Sequence, residues 1–472
     1  MRVVDSSTMS AILGLNFMGA SKYPRAIVLI GASVMPNVMS VSITREDNSI
    51  AQGCSITLSN INPSDPIDNG YYNSQRDDTT NGKPSNSYNG LIKPGASISV
   101  LGGYGANVVS IFTGVIDTVK IKVMDGSIEI FCRDVGYRLV DNTIFSENSN
   151  QTEQYQYITY PIEAGIFTTG YNLGSGDTNP YLYDIFIDVC MRAGFNSLYI
   201  GYDNFTTRLN DLQGDYFTEL SGTWDSIVLK IADILQANVY CDEDGNIFLK
   251  ERTGKDYLAV AEDITLTGTT WSPLANKYCI KDSINLNDPF YDSTDYDFDY
   301  ATNSIRRSVG TTIPTGTTLS IDYSYVDWVF KVGEGLYDLV QWVSHDNEYG
   351  SIQVTNSELE LASYLEIHLA DSSVLSHNKL LTIDMPELIT QGQLDAYATA
   401  YSLMLRRNYF NIDAEVVTLP HLQVGDLVHF LVYGTATGIY EIKGFNIDYD
   451  ASTGFSMSLN TIFFNTSGVY YE

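Results

Sequence analysis

Two stretches more than three hundred residues apart carry one β-pattern, and that repeat limits the fold more than any other feature of the chain. The first reads Ile92-Lys93-Pro94-Gly95-Ala96-Ser97-Ile98-Ser99-Val100-Leu101, then Gly114 to Val119, then Asp125-Gly126-Ser127-Ile128-Glu129-Ile130. The second reads Leu422-Gln423-Val424-Gly425-Asp426-Leu427-Val428-His429-Phe430-Leu431, then Gly438 to Lys443, then Thr453 to Leu459. In each, a Gly turn launches an apolar strand, a second Gly precedes a second strand, and a Gly hairpin leads to a third. Alternation marks a buried face: Val119, Ile121 and Val123 against Thr118, Lys120 and Lys122, and Phe455, Met457 and Leu459 against Ser456 and Ser458. Asp125-Gly126 predicts a two-residue type I′ turn, which needs positive φ at both positions. The repeat therefore predicts two similar β-barrels in one chain, with Gly95 and Gly425 in equivalent turns.

At 472 residues the chain exceeds what one core supports, so two to four domains are expected. Its 44% hydrophobic and 12% aromatic content suffices for real cores. Lys and Arg number 26 against 57 Asp and Glu, a net charge of −31, which argues against gripping nucleic acid through its phosphates. Cys54, Cys132, Cys190, Cys241 and Cys279 show no CxxC spacing and read as free thiols in a reducing cytoplasm. Residues 11–20 lack the charged lead of a signal peptide, and no stretch approaches a membrane span.

Along the chain, strands are expected near Ala26 to Leu29 and Cys54 to Leu58. A polar excursion from Asn60 to Asn89, dense in Asn-Gly pairs, carries no strand pattern. A helix is expected from Asn179-Pro180 to a Gly194 stop. A second follows the N-cap Thr223, with the stripe Ile227, Val228, Ile231, Ile234 and Leu235. It leads into a hairpin through Asp242-Glu243-Asp244-Gly245. Strands return from Asp256 to about Val354, interrupted by the acidic-aromatic stretch Asp288 to Tyr300. A late helix opens on a Thr390/Gln393 capping box and closes on Arg406-Arg407.

Chemistry-bearing motifs are sparse. There is no G-x-S-x-G elbow, H-E-x-x-H or P-loop, and Gly102-Gly103-Tyr104-Gly105 lacks the spacing of a phosphate cradle. The five histidines are His345, His368, His377, His421 and His429. His421 and His429 flank Gly425-Asp426, where Asp426 could orient an imidazole, although a packed strand histidine is the commoner outcome. Asp295, Asp297 and Asp299 repeat as in a calcium loop, but Tyr300 and Arg306 stand where an EF-hand needs Gly and Glu, so a solvated strand face is favoured. No catalytic, cofactor-binding or metal-ligating residue is expected. With 57 acids and 34 tyrosines, a β-rich polysaccharide-binding or glycoside-degrading protein stays open as the alternative.

Taken in order, Phe112 to Asp117, Ile128 to Asp134, Trp224-Asp225-Ser226 to Asp244-Gly245-Asn246-Ile247 and Leu422 to Val428 resemble the central hub of phage baseplates and tail tips, found also in related injection machines. The resemblance spans roughly residues 25 to 465. It implies a chain that is mainly β with α/β insertions, with two tube-like β-barrels and smaller α+β domains. The division is an extension over 1–23, a first barrel over 24–142 and an inserted α/β domain over 143–250. The first part of the second barrel follows over 251–355, then a mixed α/β domain over 356–410 with a helix over 391–407, then closing strands over 411–472. The resemblance further implies a homotrimer whose six barrels ring a channel and join a sixfold tail tube to a threefold central spike or tip protein. A tape-measure protein and baseplate wedge are implied partners, in a virion tail assembled in host cytoplasm. Neither specific nucleic-acid binding nor stable membrane insertion is implied, although DNA would pass through. The charge suggests a channel with more Asp and Glu than Lys and Arg.

Overall fold

The computed structural model describes residues 23–465 apart from 63–64, 70–89, 142–156, 159–181, 203–219, 252–257, 345–348, 368–378 and some isolated positions. Residues 1–22 of the expected extension, the Asn179-Pro180 cap and most of the Asn60 to Asn89 excursion lie outside the described residues.

The first copy of the pattern is six strands: β1 Pro24–Ile30, β2 Val38–Glu46, β3 Gly53–Ser59, β4 Ser97–Tyr104, β5 Asn107–Lys122 and β6 Ser127–Asp134. They lie in the order β1-β4-β5-β6-β3-β2. Alternate positions of β2, β3, β4 and β6 are buried (Val41 and Ile43, Cys54, Ile56 and Leu58, Ile98 and Val100, Ile128 and Ile130) and form one core.

An α/β unit follows: α1 Leu182–Arg192, α2 Trp224–Ile234, β7 Ala237–Cys241 and β8 Ile247–Glu251. Gly194 ends α1 at φ +95°, and Phe195 N–H returns to Cys190 O at 3.0 Å. The expected stripe of α2 is buried throughout, against Val239, Ile247 and Leu249.

The second copy comprises β9 Trp328–Lys331, β10 Leu336–Ser344, then α3 Gln391–Arg407 beyond a small sheet, then β11 Phe410–Val416, β12 Leu427–Val432, β13 Thr435–Asp450 and β14 Gly454–Asn465. Its order, β9-β12-β13-β14-β11-β10, repeats that of the first copy strand for strand. The polar stretches between strands enter at different joints. Residues 60–96 separate β3 from β4, whereas residues 345–409 separate β10 from β11. The helix α3 and the small sheet beside it share the core of the α/β unit, since Ile352, Val354, Leu394 and Tyr397 pack with α2. The mainly β character with α/β insertions is as expected.

Four local expectations differ from the structure. Ile61–Asn62 and Asp65–Asn69 pair as a short hairpin, because strands of two and five residues show too little alternation to be read from sequence. The interruption expected over Asp288 to Tyr300 is shorter than that: Tyr296–Asp299 is a strand paired with Ser304–Arg307. Residues between Leu258 and Ser324 form two three-stranded sheets around a core of their own, with Leu319, Ile321 and Tyr323 at its centre. At the end of β5, Lys122 pairs with Ser127, so the turn is wider than a type I′ turn, and of Asp125 and Gly126 only Gly126 has positive φ.

Candidate assembly site

The two copies agree down to individual hydrogen bonds. Gly95 and Gly425 both sit at φ +81° as the third residue of a type II turn. Ala96 N–H donates to Lys93 O and Asp426 N–H to Gln423 O, each at 3.1 Å. Gly95 N–H donates to Ile116 O and Gly425 N–H to Ile442 O, each at 2.7 Å, with returns from Ile116 to Ala96 and Ile442 to Asp426, each at 2.9 Å. One residue further on, both copies bulge, between Ile116 and Thr118 and between Ile442 and Gly444. A second bulge is also shared, between Val38 and Ser40 and between Leu336 and Asp338. Just before it, Asn37 and Gly335 both take positive φ, and their carbonyls accept from Ser59 and Val417. The outer strand differs, for β1 runs antiparallel to β4 and β9 parallel to β12.

These copies are joined edge to edge. Strand β2 pairs with the far half of β13 from Gly444↔Glu46 to Asp450↔Ser40, making one sheet of both. Beneath that seam lies Arg45, fully buried on β2. The phase of Val41 and Ile43 carries it inward, and this was the sequence signal for it. Its guanidinium donates to Cys241 O at 2.6 Å and lies 3.7 Å from Asp134 Oδ2. It thereby ties β2 to β6 and to the α/β unit. Burial pushes the Asp134 carboxyl up to about 7, while Arg45 pulls the other way. Burial also raises Glu243, whose carboxylate accepts from Gln423 Nε2 at 3.2 Å and whose carbonyl accepts from Ser110 Oγ at 2.8 Å. At the seam's end Lys443 bridges Asp47 (3.2 Å) and Glu441 (3.0 Å), and Asn238 Nδ2 donates to Asp47 at 3.3 Å. Arg45 and Asp134, both buried, and the half-buried Lys443 cluster hold three parts of the chain in one arrangement, although Arg45 Nε and Asp134 Oδ2 make no hydrogen bond of their own.

Asp426, His429, His421, Asp295 and Asp297 each make contacts within the fold. Asp426 accepts from Gln423 N–H at 2.8 Å within the turn itself. His429 Nδ1 contacts Gly438 O at 2.6 Å, and burial lowers its basicity. His421 is buried edge-to-face against Trp328, 5.2 Å between centroids. Asp297 pairs with Arg306 at 3.0 Å, and Asp295 accepts from Thr311 Oγ1 at 2.8 Å, while Tyr296 and Phe298 pack on the neighbouring core. Among the described residues no group of three His, Cys, Asp or Glu side chains is arranged to hold a metal ion, and no helix is long and apolar enough to cross a membrane.

Solved structures share this fold. The tail protein from Neisseria meningitidis MC58 matches over 93% of this chain and 96% of its own, with a TM-score of 0.53 at 11% identity. The 43 kDa tail protein of prophage MuSo2 from Shewanella oneidensis matches over 93% and 97%, with a TM-score of 0.50 at 10% identity. The chain has the fold of a phage tail protein. No family model and no curated protein matches it in sequence. At such identity only the architecture is held in common, and it runs nearly end to end in both.

Proposed function

We propose that this chain is a structural component of a phage tail tip, baseplate or related injection particle, where three copies form a hub. Three chains with two equivalent units each give six units about a threefold axis, so one face of the ring meets a sixfold tail tube and the other a threefold spike or tip protein. The observation that carries this reading is the in-chain duplication, with its matched turns and bulges, set side by side in one sheet. The polar face of that sheet supports a conduit. In the second copy it presents Asp413, Glu415, Asp448 and Asp450, a surface that repels a passing polyanion. Tape-measure and wedge proteins are the further partners of such a hub, and the division into two tube-like domains with α/β insertions belongs to the same reading. The role is mechanical, in the virion, with no reaction assigned to any residue.

Light scattering and electron microscopy of the purified chain test this. A threefold ring with six similar lobes around an opening is expected. A monomer at every concentration, or a twofold dimer, overturns the hub.

A further inference from the structure

The two copies differ at one place where their equivalence says they should not. In the second, the far half of β13 has β14 on one side and β2 on the other. In the first, the matching end of β5, Asp117 to Lys122, has β6 on one side, while pairing with β4 on the other stops at Val115 and no other described strand takes its place. The apolar residues report the difference. Phe445 and Ile447 are 4% and 3% exposed, yet Ile121, the counterpart of Ile447, is 43% exposed, although its alternation with Lys120 and Lys122 marks a buried face. At the hairpin tip Met124 is 96% exposed.

The chain also holds one strand of the matching kind. β10 is the counterpart of β2 and ends the sheet, pairing with β11 on one side only among the described strands. We infer that β10 of a second copy of this chain adds to the free end of β5, repeating between chains the pairing that β2 makes with β13 within one. This rests on the hub reading above and specifies its closing contact. The register follows from the equivalences. Thr44 and Ser42 correspond to Val343 and Gln341, while Asn446 and Asp448 correspond to Lys120 and Lys122. Lys120 of one copy therefore stands opposite Val343 of the next, and Lys122 opposite Gln341. Charge agrees: Lys120 and Lys122 of a strongly acidic chain come beside a strand whose exposed Asp338 and neighbouring Asp413 and Glu415 are acidic. Edge strands attract such partners because their backbone groups are unpaired on one side.

The geometry selects the test. In the intrachain seam, Lys443 O accepts from Asp47 and Ala451 N–H donates to Met39, so the odd-numbered residues between them turn their backbone groups to β2. Asn446↔Thr44 is then a narrow, non-hydrogen-bonded pair, with Cα atoms about 4.5 Å apart, within disulfide reach. The full-length double variant Lys120→Cys/Val343→Cys, oxidised and run without reductant, should give a covalent three-chain species. The five native cysteines are buried and do not compete. The out-of-register pair Lys120→Cys/Asp338→Cys should not cross-link, and Lys120→Cys alone should give no dimer. Ile121→Pro, which removes an N–H from the free edge and leaves β6 its ladder, should abolish self-association while unfolding like the parent. A trimer that forms without the designed disulfide overturns this pairing and leaves the hub intact. A dimer through Lys120→Cys alone overturns it in favour of β5 pairing with itself. A chain that stays monomeric and uncross-linked overturns both readings.

Discussion

The duplicated turn permits one substitution to be made twice in a single molecule. At Gly95 and Gly425 the backbone is the same, φ +81° with matched hydrogen bonds, so Gly→Ala carries the same left-handed strain at each, about 1–2 kcal/mol. The surroundings differ. A Cβ on Gly95 meets nothing within 4 Å, whereas one on Gly425 falls 2.6 Å from Lys250 Nζ and 2.9 Å from its Cε. Lys250 must swing away, and its 3.1 Å bond to Val424 O goes with it, adding about 1 kcal/mol. Gly425→Ala should thus open its turn about fivefold more than Gly95→Ala opens the other. Hydrogen exchange read by mass spectrometry over 93–116 and 423–442 measures each opening locally, without requiring this large chain to unfold in one step. Gly95→Asn, whose side chain tolerates the left-handed region, should fall below Gly95→Ala. Equal effects at both glycines, or a larger one at Gly95, would refute the assignment of Lys250. No effect at either would refute the turns.

Arg45→Met leaves Asp134 buried without its cation and should cost about 3–5 kcal/mol, read as a lowered thermal midpoint, whereas Arg133→Gln at its exposed ion pairs should cost less than about 1 kcal/mol. Asp134 gives a pH signature with a definite sign. Its folded pKa of about 7 lies above the ordinary value of 3.8, so between them the folded chain holds a proton that the unfolded chain releases. Its contribution to stability is therefore full in acid and lost as pH rises through about 7. Asp134→Asn should flatten that part of the profile, and an unchanged slope would sink the assignment. Thr390 Oγ1 accepts from Gln393 N–H at 3.3 Å and Gln393 Oε1 accepts from Thr390 N–H at 3.0 Å. Thr390→Ala should cost about 1 kcal/mol and speed exchange in the first turn of α3.

Local rules made much of this legible. The Gly95 and Gly425 turns, the Gly194 stop, the stripe of α2 and the capping box each depend on residues within a few positions of one another, and each appears where sequence placed it. What escaped depends on distant partners. Nothing near Ser40 to Glu46 announces that its edge belongs to Gly444 to Asp450. The polar alternation of β5 reads as an ordinary strand because a free edge is a property of the sheet, not of the segment. Arg45 is not announced by its type, since an arginine in a strand is ordinarily a surface residue, and only its phase with Val41 and Ile43 marks it as buried.

The seam between the copies also sets a timetable. Its two strands lie nearly 400 residues apart in the chain. At ribosomal speeds of about 5–20 residues per second, β2 is made roughly 20–80 s before β13 exists to cover it. Throughout that interval the nascent first copy presents an open edge whose proper partner is unmade, while neighbouring ribosomes on the same message offer finished ones. Premature pairing between chains would join two molecules where one should close on itself. The burial of Arg45 beneath the edge works against this, because its acceptor Cys241 O arrives only with the α/β unit, midway through synthesis. Until then the guanidinium of β2 has Asp134 but not Cys241 O to meet it, so burying it beneath the edge costs more than in the finished chain.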